Sequence, residues 1–234
     1  MRSKKITERV YQVGGTSISD SRDCAVYLLD LGELVLIDSG LGMGFDRMTR
    51  NIELLGFDPA DISTVVVTHC HVDHVGGARL FQQRFGSRIV MHTKDAAIVK
   101  KGDQLLTAAF CFNIYFKPLH VDVELRGKEE SLTFGEQRLV CVHTPGHTPG
   151  SLSAYLDTDS LRILFVQDIG AAVLKEFSCD PDAWVKSVYT LLALEGDILC
   201  DGHSGAYGPR NIVEQYLHHC IDSQRQGGYL KGVL

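Results

Sequence analysis

One short run of the chain is dense in metal-ligating side chains. The run His69-Cys70-His71-Val72-Asp73-His74 holds three histidines and one aspartate within six residues. Imidazole nitrogens and carboxylate oxygens bind zinc and other divalent metals. If the backbone is extended at its start, His69 and His71 project on the same side, and Asp73 and His74 can aim at a second point where the chain turns. The run therefore predicts a metal centre, and two ions there would activate water for hydrolysis.

The run is flanked by elements that could position it. Residues 64–68 are β-branched and apolar at their centre, which is typical of a strand buried on both faces. A helix is predicted over residues 77–85, with Gly76 and Gly77 allowing a tight bend before it. Loops at the carboxyl ends of strands commonly carry functional residues, so this placement agrees with a catalytic role.

The rest of the chain alternates between strand and helix patterns. The predicted strands are 10–13, 25–29, 34–37, 88–91, 132–134, 138–142, 151–156, 162–166 and 197–200. The predicted helices are 45–55, 93–100 with Thr93 as N-cap, 180–194 and 211–223. This order favours an α/β fold, an αββα sandwich of two mixed β-sheets with helices on the outer faces. No linker-like stretch divides it, so we expect one domain spanning residues 1–234.

The histidine run resembles the signature of the metallo-β-lactamase fold superfamily, in particular its glyoxalase-II-like and lactonase-like metallohydrolase branch. Four further marks of that family occur here in the family's order. They are Asp38 in Leu36-Ile-Asp-Ser-Gly40, His147 in Thr144-Pro-Gly-His-Thr-Pro-Gly150, Asp168 in Phe165-Val-Gln-Asp168 and His203 in Cys200-Asp-Gly-His-Ser204. The resemblance covers residues 38 to 203 and implies the αββα fold.

The resemblance also implies a site of seven ligands. His69, His71 and His147 would hold a first metal; Asp73, His74 and His203 would hold a second; Asp168 would bridge the two. In such a site a hydroxide between the ions is the nucleophile, and Asp73 is also the catalytic residue that orients it. Asp38 would be a structural aspartate that accepts hydrogen bonds and steers the histidine loop.

Within that resemblance, two positions indicate which metal is bound and which reaction is catalysed. Histidine at position 71, where diiron members carry glutamate, favours two zinc ions, with iron or manganese as alternatives. Aspartate at position 168 resembles the thioesterase, lactonase and nuclease branches more than the antibiotic-hydrolysing one. We therefore expect cleavage of an ester-like bond, a thioester or a lactone. The alternative is a persulfide dioxygenase-like oxidoreductase, whose members use one iron bound by two histidines and an aspartate.

Two segments bear on the substrate. The aromatic-rich stretch 105–119 either lines an apolar pocket over the metals or belongs to the core or a dimer contact. A single helix is predicted after His203, which is less than the helical part with which glyoxalase-II-like enzymes grip glutathione. Other candidates are not predicted to be ligands. The Cys70 sulfur should point away from its neighbours, and His120 and His143 lie near candidate motifs but are expected to be surface residues or supports of ligands.

Composition indicates the partners and the cellular compartment to expect. The chain has 234 residues and a net charge of −6, which argues against a broad nucleic-acid-binding face. No apolar run approaches the roughly 20 residues of a membrane span, and the basic N-terminus lacks the apolar stretch of a signal peptide. The seven scattered cysteines are typical of reduced thiols. We expect a cytoplasmic enzyme with a small-molecule substrate and no nucleic-acid or membrane partner. A homodimer is possible from the sequence.

Overall fold

Two β-sheets pack face to face, and helices cover both outer faces. The structure, a computed structural model, describes residues 3–166, 168–174 and 178–230. The arrangement confirms the predicted αββα sandwich. Among the described residues, no helix is long and apolar enough to cross a membrane.

The first sheet has seven strands that are hydrogen-bonded in chain order. They are β1 (Lys4–Lys5), β2 (Val10–Gly14), β3 (Val26–Asp30), β4 (Leu34–Ile37), β5 (Ile62–Val66), β6 (Arg88–His92) and β7 (Val123–Leu125). The first four pair antiparallel, whereas β4 to β7 run parallel. Parallel central strands are covered on both faces, which explains why every residue of β5 except Ser63 is buried.

The second sheet has six strands in the order β13-β12-β11-β10-β9-β8. They are β8 (Glu129–Phe134), β9 (Gln137–His143), β10 (Leu152–Asp157), β11 (Arg162–Phe165), β12 (Ile198–Asp201) and β13 (Gly205–Tyr207). All neighbours are antiparallel except β11 and β12. The inner faces of both sheets form one apolar layer, in which Tyr27 of β3 meets Phe165 of β11 at a ring separation of 5.9 Å. Burying side chains of this size stabilises the fold by about 1.5–3 kcal/mol each.

The helices bury apolar stripes against the outer faces of the sheets. They are α1 (Phe45–Leu54), α2 (Val72–Val75), α3 (Ala78–Phe85), α4 (Thr93–Lys101), α5 (Pro181–Ala193) and α6 (Arg210–Gln226). Helices α1, α3 and α4 cover the first sheet, and α5 and α6 cover the second. In α1 the buried residues Phe45, Met48 and Ile52 recur at helical spacing, as their pattern predicts.

Several local predictions were wrong. The strand expected at 64–68 ends at Val66, so two further residues separate it from the histidine run. The N-cap of α4 is His92, whose Nδ1 accepts from the Lys94 backbone N–H, and not Thr93, whose hydroxyl donates to Glu124 instead. The single-turn helix α2 and the short strands β1, β7 and β13 were not predicted.

Gly76 and Gly77 do not form the tight bend that was predicted for them. Both have ordinary right-handed helical angles, with φ of −60° and −77°. A Cβ atom on Gly77 would collide with the carbonyl oxygen of Ser39, and one on Gly76 with that of Leu41. These glycines therefore let the loop after β4 lie directly against the histidine loop, where Ser39 donates to the His74 carbonyl oxygen.

Candidate metal centre

All seven predicted ligand residues lie together at the loops that follow β5, β9, β11 and β12. They form two groups that share Asp168: His69, His71, His147 and Asp168; and Asp73, His74, Asp168 and His203. Within each group the candidate ligand atoms lie within 4.8 Å of one another. A third group, of Cys24, Asp38 and His74, lies behind the second.

The first group surrounds a space of the size that a zinc ion needs. His147 Nε2 lies 3.0 Å from His71 Nδ1 and 3.7 Å from Asp168 Oδ2. His69 Nε2 lies 4.0 Å from the same carboxylate oxygen. Four ligands at tetrahedral angles and about 2.0–2.1 Å from zinc would have their atoms roughly 3.3 Å apart. The three imidazoles therefore fit one ion after small adjustments.

The second group is equally compact. His203 Nε2 lies 3.3 Å from Asp73 Oδ2 and 3.2 Å from Asp168 Oδ2. His74 Nε2 lies 3.4 Å from His203 Nε2 and 3.0 Å from Asp168 Oδ1. Because Asp168 approaches histidines of both groups, it stands in the position that a bridging ligand would need.

Buried atoms without hydrogen-bond partners test whether a metal fits here. His69 Nε2 and Asp168 Oδ1 are both buried and accept no hydrogen bond. Such atoms are rare and require an explanation. In the neutral form of His74, Nδ1 donates to Asp38, so Nε2 is a second acceptor that lies 3.0 Å from Asp168 Oδ1. A cation between these atoms would satisfy all of them, so the residues present fit divalent metal ions.

Burial keeps the first group neutral. Burial lowers the pKa of His69, His71 and His147, and neighbouring histidines lower those of His69 and His71 further. The pKa of His71 falls to about 3. Neutral imidazole is the form that binds a metal. This group is therefore ready to accept a cation at neutral pH.

The second group pairs two ionised carboxylates with two basic histidines. Burial alone would raise the pKa of Asp73 and of Asp168, but His74 and His203 beside them hold both values below the usual range. In turn, and against the effect of burial, the two carboxylates raise the pKa of His203 to about 10. Both carboxylates are thus ionised in a buried site, which favours a cation there.

Asp38 supports the second group, as its expected structural role requires. Its carboxylate accepts from the Thr68 backbone N–H at 2.8 Å, from the Thr68 hydroxyl at 2.8 Å and from His74 Nδ1 at 2.8 Å. Asp38 has a φ of +62°, a left-handed conformation that costs energy for most residues but is tolerated by aspartate. This backbone strain places the carboxylate under the histidine loop.

Two further carboxylates support the ligand loops and were not predicted. Asp201 Oδ1 accepts from the backbone N–H groups of His203 and Ser204 at 2.9 and 2.8 Å. Tyr216 donates to its other oxygen at 2.8 Å. The sequence Asp-Gly-His-Ser is a signal for this side-chain turn. Asp95, in the first turn of α4, accepts hydrogen bonds from the histidine run and from the loop that carries His147. Nothing in its local sequence indicates these contacts.

The residues that were not expected to be ligands lie apart from both groups. The Cys70 sulfur donates to the Leu106 carbonyl oxygen, away from the neighbouring histidines. The His143 ring stacks on that of His92 with centroids 3.8 Å apart, and the His120 side chain is 74% exposed.

The segment 105–119 packs beside the histidine loop. The Thr107 carbonyl oxygen accepts from the Val72 backbone N–H, and Phe116 and Leu119 join the apolar cluster under the first sheet. A cavity of about 410 Å³ opens beside Asp168 and His203, and no residue of 105–119 lines it. Of the two interpretations of this segment, the core interpretation holds for its buried residues, whereas Phe110 and Tyr115 are exposed.

Comparison with known proteins agrees with this fold. The sequence profile described as the Metallo-beta-lactamase superfamily matches residues 20–203. Among solved structures, a metallo-beta-lactamase from Cronobacter sakazakii is similar at a TM-score of 0.82 and 22% identity, covering 99% of this chain and 98% of that one. A class B3 di-zinc metallo-beta-lactamase from an Alaskan soil metagenome is similar at a TM-score of 0.80 and 22% identity, covering 100% and 95%.

Curated relatives are similar over part of their length. A probable metallo-hydrolase of Methanocaldococcus jannaschii is 31% identical over 54% of this chain and 59% of its own. An N-acyl homoserine lactonase of a Bacillus species is 27% identical over 49% of this chain and 40% of its own. A ribonuclease of Thermus thermophilus is 28% identical over 86% of this chain and 46% of its own. The chain thus spans about half the length of these relatives.

Proposed function

Because the chain belongs to the metallo-beta-lactamase superfamily, we propose that it is a hydrolase that holds two divalent metal ions, with zinc favoured. The observation that carries this proposal is the meeting of seven candidate ligands in two compact groups that share Asp168. Five imidazoles and two carboxylates form a donor set that suits zinc, and iron or manganese are the alternatives.

Each residue has a role in this proposal. His69, His71 and His147 bind the first ion, Asp73, His74 and His203 bind the second, and Asp168 contacts both. When bound, the two ions would supply the acidity that activates a water molecule and the positive charge that polarises the scissile carbonyl.

Asp73 is the proposed catalytic residue. Its carboxylate is 7% exposed, faces His203 and His74, and is ionised at neutral pH because those histidines lower its pKa below the usual range, against the effect of burial. An ionised carboxylate beside the second metal site can accept a hydrogen bond from the attacking water and so orient that water.

A lactone or a thioester is the proposed substrate class. Similarity to an N-acyl homoserine lactonase supports an acyl substrate. The cavity beside Asp168 and His203 has room for a small acyl group, and Ala171 and Cys220 contribute apolar atoms to its wall. Despite the similarity to a ribonuclease, the net charge of −6 disfavours a polyanionic substrate. Cys24, Cys141 and Cys200 are among the free thiols, which supports a reducing compartment such as the cytoplasm.

A substrate panel tests this proposal. The zinc-loaded enzyme is assayed on lactones, thioesters and phosphodiesters. The protein as purified is analysed for metal content, and its oxygen uptake is followed on glutathione persulfide. We expect hydrolysis of a lactone or a thioester, loss of that activity in Asp73→Asn, and no oxygen uptake. His120→Asn is the matched control, because the His120 side chain is exposed and lies apart from both groups. Oxygen uptake by a protein that holds one iron per chain would support the persulfide dioxygenase alternative and overturn the proposal.

A further inference from the structure

Asp95 is a fully buried carboxylate that faces the metal-binding loops without being a candidate ligand. It has 0% exposure and lies in the first turn of α4. A negative charge there is favoured by the helix dipole, which is the usual reason for an aspartate at this position. The contacts of its side chain are not explained by the helix alone, because all three donors come from other parts of the chain.

The three donors belong to the two loops of the first metal group. Asp95 Oδ2 accepts from the Cys70 backbone N–H at 2.8 Å and from the Thr148 hydroxyl at 2.7 Å. Asp95 Oδ1 accepts from the Gly150 backbone N–H at 2.6 Å. Cys70 lies between His69 and His71, and Thr148 directly follows His147. A single carboxylate therefore ties together the backbones that carry all three histidines of the first group.

The packing around Asp95 leaves little room for adjustment. A Cβ atom on Gly150 would lie 2.5 Å from both the backbone nitrogen and Oδ1 of Asp95. The Thr148 hydroxyl also lies 2.7 Å from that of Ser151, so its position is fixed from two sides. Movement of the carboxylate would thus be transmitted to the loop that carries His147.

The second group has its own supports. Asp38 holds His74, and Asp201 holds the loop of His203. Neither of these carboxylates is among the hydrogen-bond partners of Asp95. Because Asp95 has no hydrogen bond to Asp73, His74, Asp168 or His203, a change at Asp95 should act mainly on the first metal.

We propose that Asp95 is a positioning residue that sets the distance between the histidine run and the His147 loop and thereby the affinity of the first metal. This inference rests on the proposed two-metal centre. It predicts an effect selective for one site, which a general loss of stability would not produce.

The test measures Zn²⁺ binding by titration calorimetry with each site isolated. His203→Ala leaves the first site, His147→Ala leaves the second, and Asp95→Asn is added to each. Asparagine keeps the size of the side chain but presents an NH₂ group to backbone donors. We expect Zn²⁺ affinity to fall about 10–100-fold at the first site, as for other groups that support metal ligands. At the second site it should change by less than about twofold, because none of the three Asp95 donors belongs to Asp73, His74, Asp168 or His203 and residues without shared partners couple weakly.

Asp122→Asn is the matched control. The Asp122 carboxylate accepts from the Ile89 backbone N–H at 2.8 Å and from Gln82, but contacts neither ligand loop. It should leave both affinities unchanged. Should Asp95→Asn fail to fold, Thr148→Val removes one of the three donors and is expected to weaken the first site alone by a smaller factor.

The outcomes separate the two proposals. Equal weakening of both sites, or no weakening of the first, overturns the positioning role of Asp95. An otherwise unaltered protein that binds fewer than two ions overturns the two-metal centre itself, whatever the behaviour of the Asp95 variants.

Discussion

His74 Nδ1 lies 2.8 Å from Asp38 Oδ2, and both side chains are buried. An ionised carboxylate only accepts hydrogen bonds, so His74 donates from Nδ1. In the neutral form that binds a metal, the lone pair is therefore on Nε2, which faces Asp168 and His203. The fold thus selects the tautomer in which one candidate ligand would bind a metal, which is how supporting carboxylates commonly prepare metal-binding histidines.

Replacing Asp38 should weaken the second site. In Asp38→Asn the side chain keeps its shape and tolerates the left-handed backbone, but it no longer offers two accepting oxygens to Thr68 and His74. We expect Zn²⁺ affinity at the second site to fall about 10–100-fold, measured by competition with a chromophoric chelator. Unchanged retention of both ions would contradict the role given to Asp38.

Removing a candidate ligand should abolish activity with little cost to the metal-free fold. His71→Ala takes away one of three imidazoles in the first group, and we expect turnover to fall at least about 100-fold. His120→Ala serves as the control because that side chain is exposed. Unaltered turnover in His71→Ala would mean that the site is misassigned.

Metal removal should destabilise the protein. An ion held at 100 times its dissociation constant stabilises the folded state by about 2.7 kcal/mol. Each kcal/mol corresponds to roughly 2–4 °C in Tm for a chain of this size. Treatment with a chelator should therefore lower Tm by roughly 10–20 °C if two ions are lost, and added Zn²⁺ should restore it. A Tm that does not respond to chelation contradicts a metal-dependent fold.

The stacked pair of His92 and His143 should make stability depend on pH. Burial, together with the adjacent His143, lowers the pKa of His92 to about 4. Between pH 4 and about 6.5 the unfolded chain binds the proton that the folded protein excludes. The contribution of His92 to the free energy of unfolding should thus rise with pH across this window.

His92→Asn isolates this effect, because asparagine keeps an acceptor at the N-cap of α4 while removing the titrating ring. Urea unfolding at several pH values should show a shallower increase of stability from pH 4 to 6.5 in the variant. An identical slope in both proteins would exclude His92 as a source of the pH dependence.

The sequence allowed the layers and the candidate ligands to be predicted because both leave local signals. Val65, Val66 and Val67 form an apolar, β-branched run at the end of β5, and the marks at Asp38, His147, Asp168 and His203 are short motifs in a fixed order. What could not be predicted lacks such a signal. Strands β1, β7 and β13 have two or three residues, too few for any periodicity to show.

The other features that could not be predicted depend on contacts between residues far apart in the sequence. Asp95 reads as an ordinary acidic residue in the first turn of a helix, and its partners lie 25, 53 and 55 residues away. Gly76 and Gly77 were read as a bend because the loop that approaches them, at residues 39–41, cannot be placed from sequence. The aromatic stretch 105–119 was ambiguous because its buried residues recur with neither helical nor strand spacing. They are Thr107, Ala108, Ala109, Phe116 and Leu119.

Anomalous diffraction from crystals of the metal-loaded protein, recorded at the zinc absorption edge, tests the central claim most directly. The account predicts two peaks per chain, one among His69, His71, His147 and Asp168 and the other among Asp73, His74, Asp168 and His203. A single peak per chain, or a peak at the Cys24, Asp38 and His74 group instead, would contradict it.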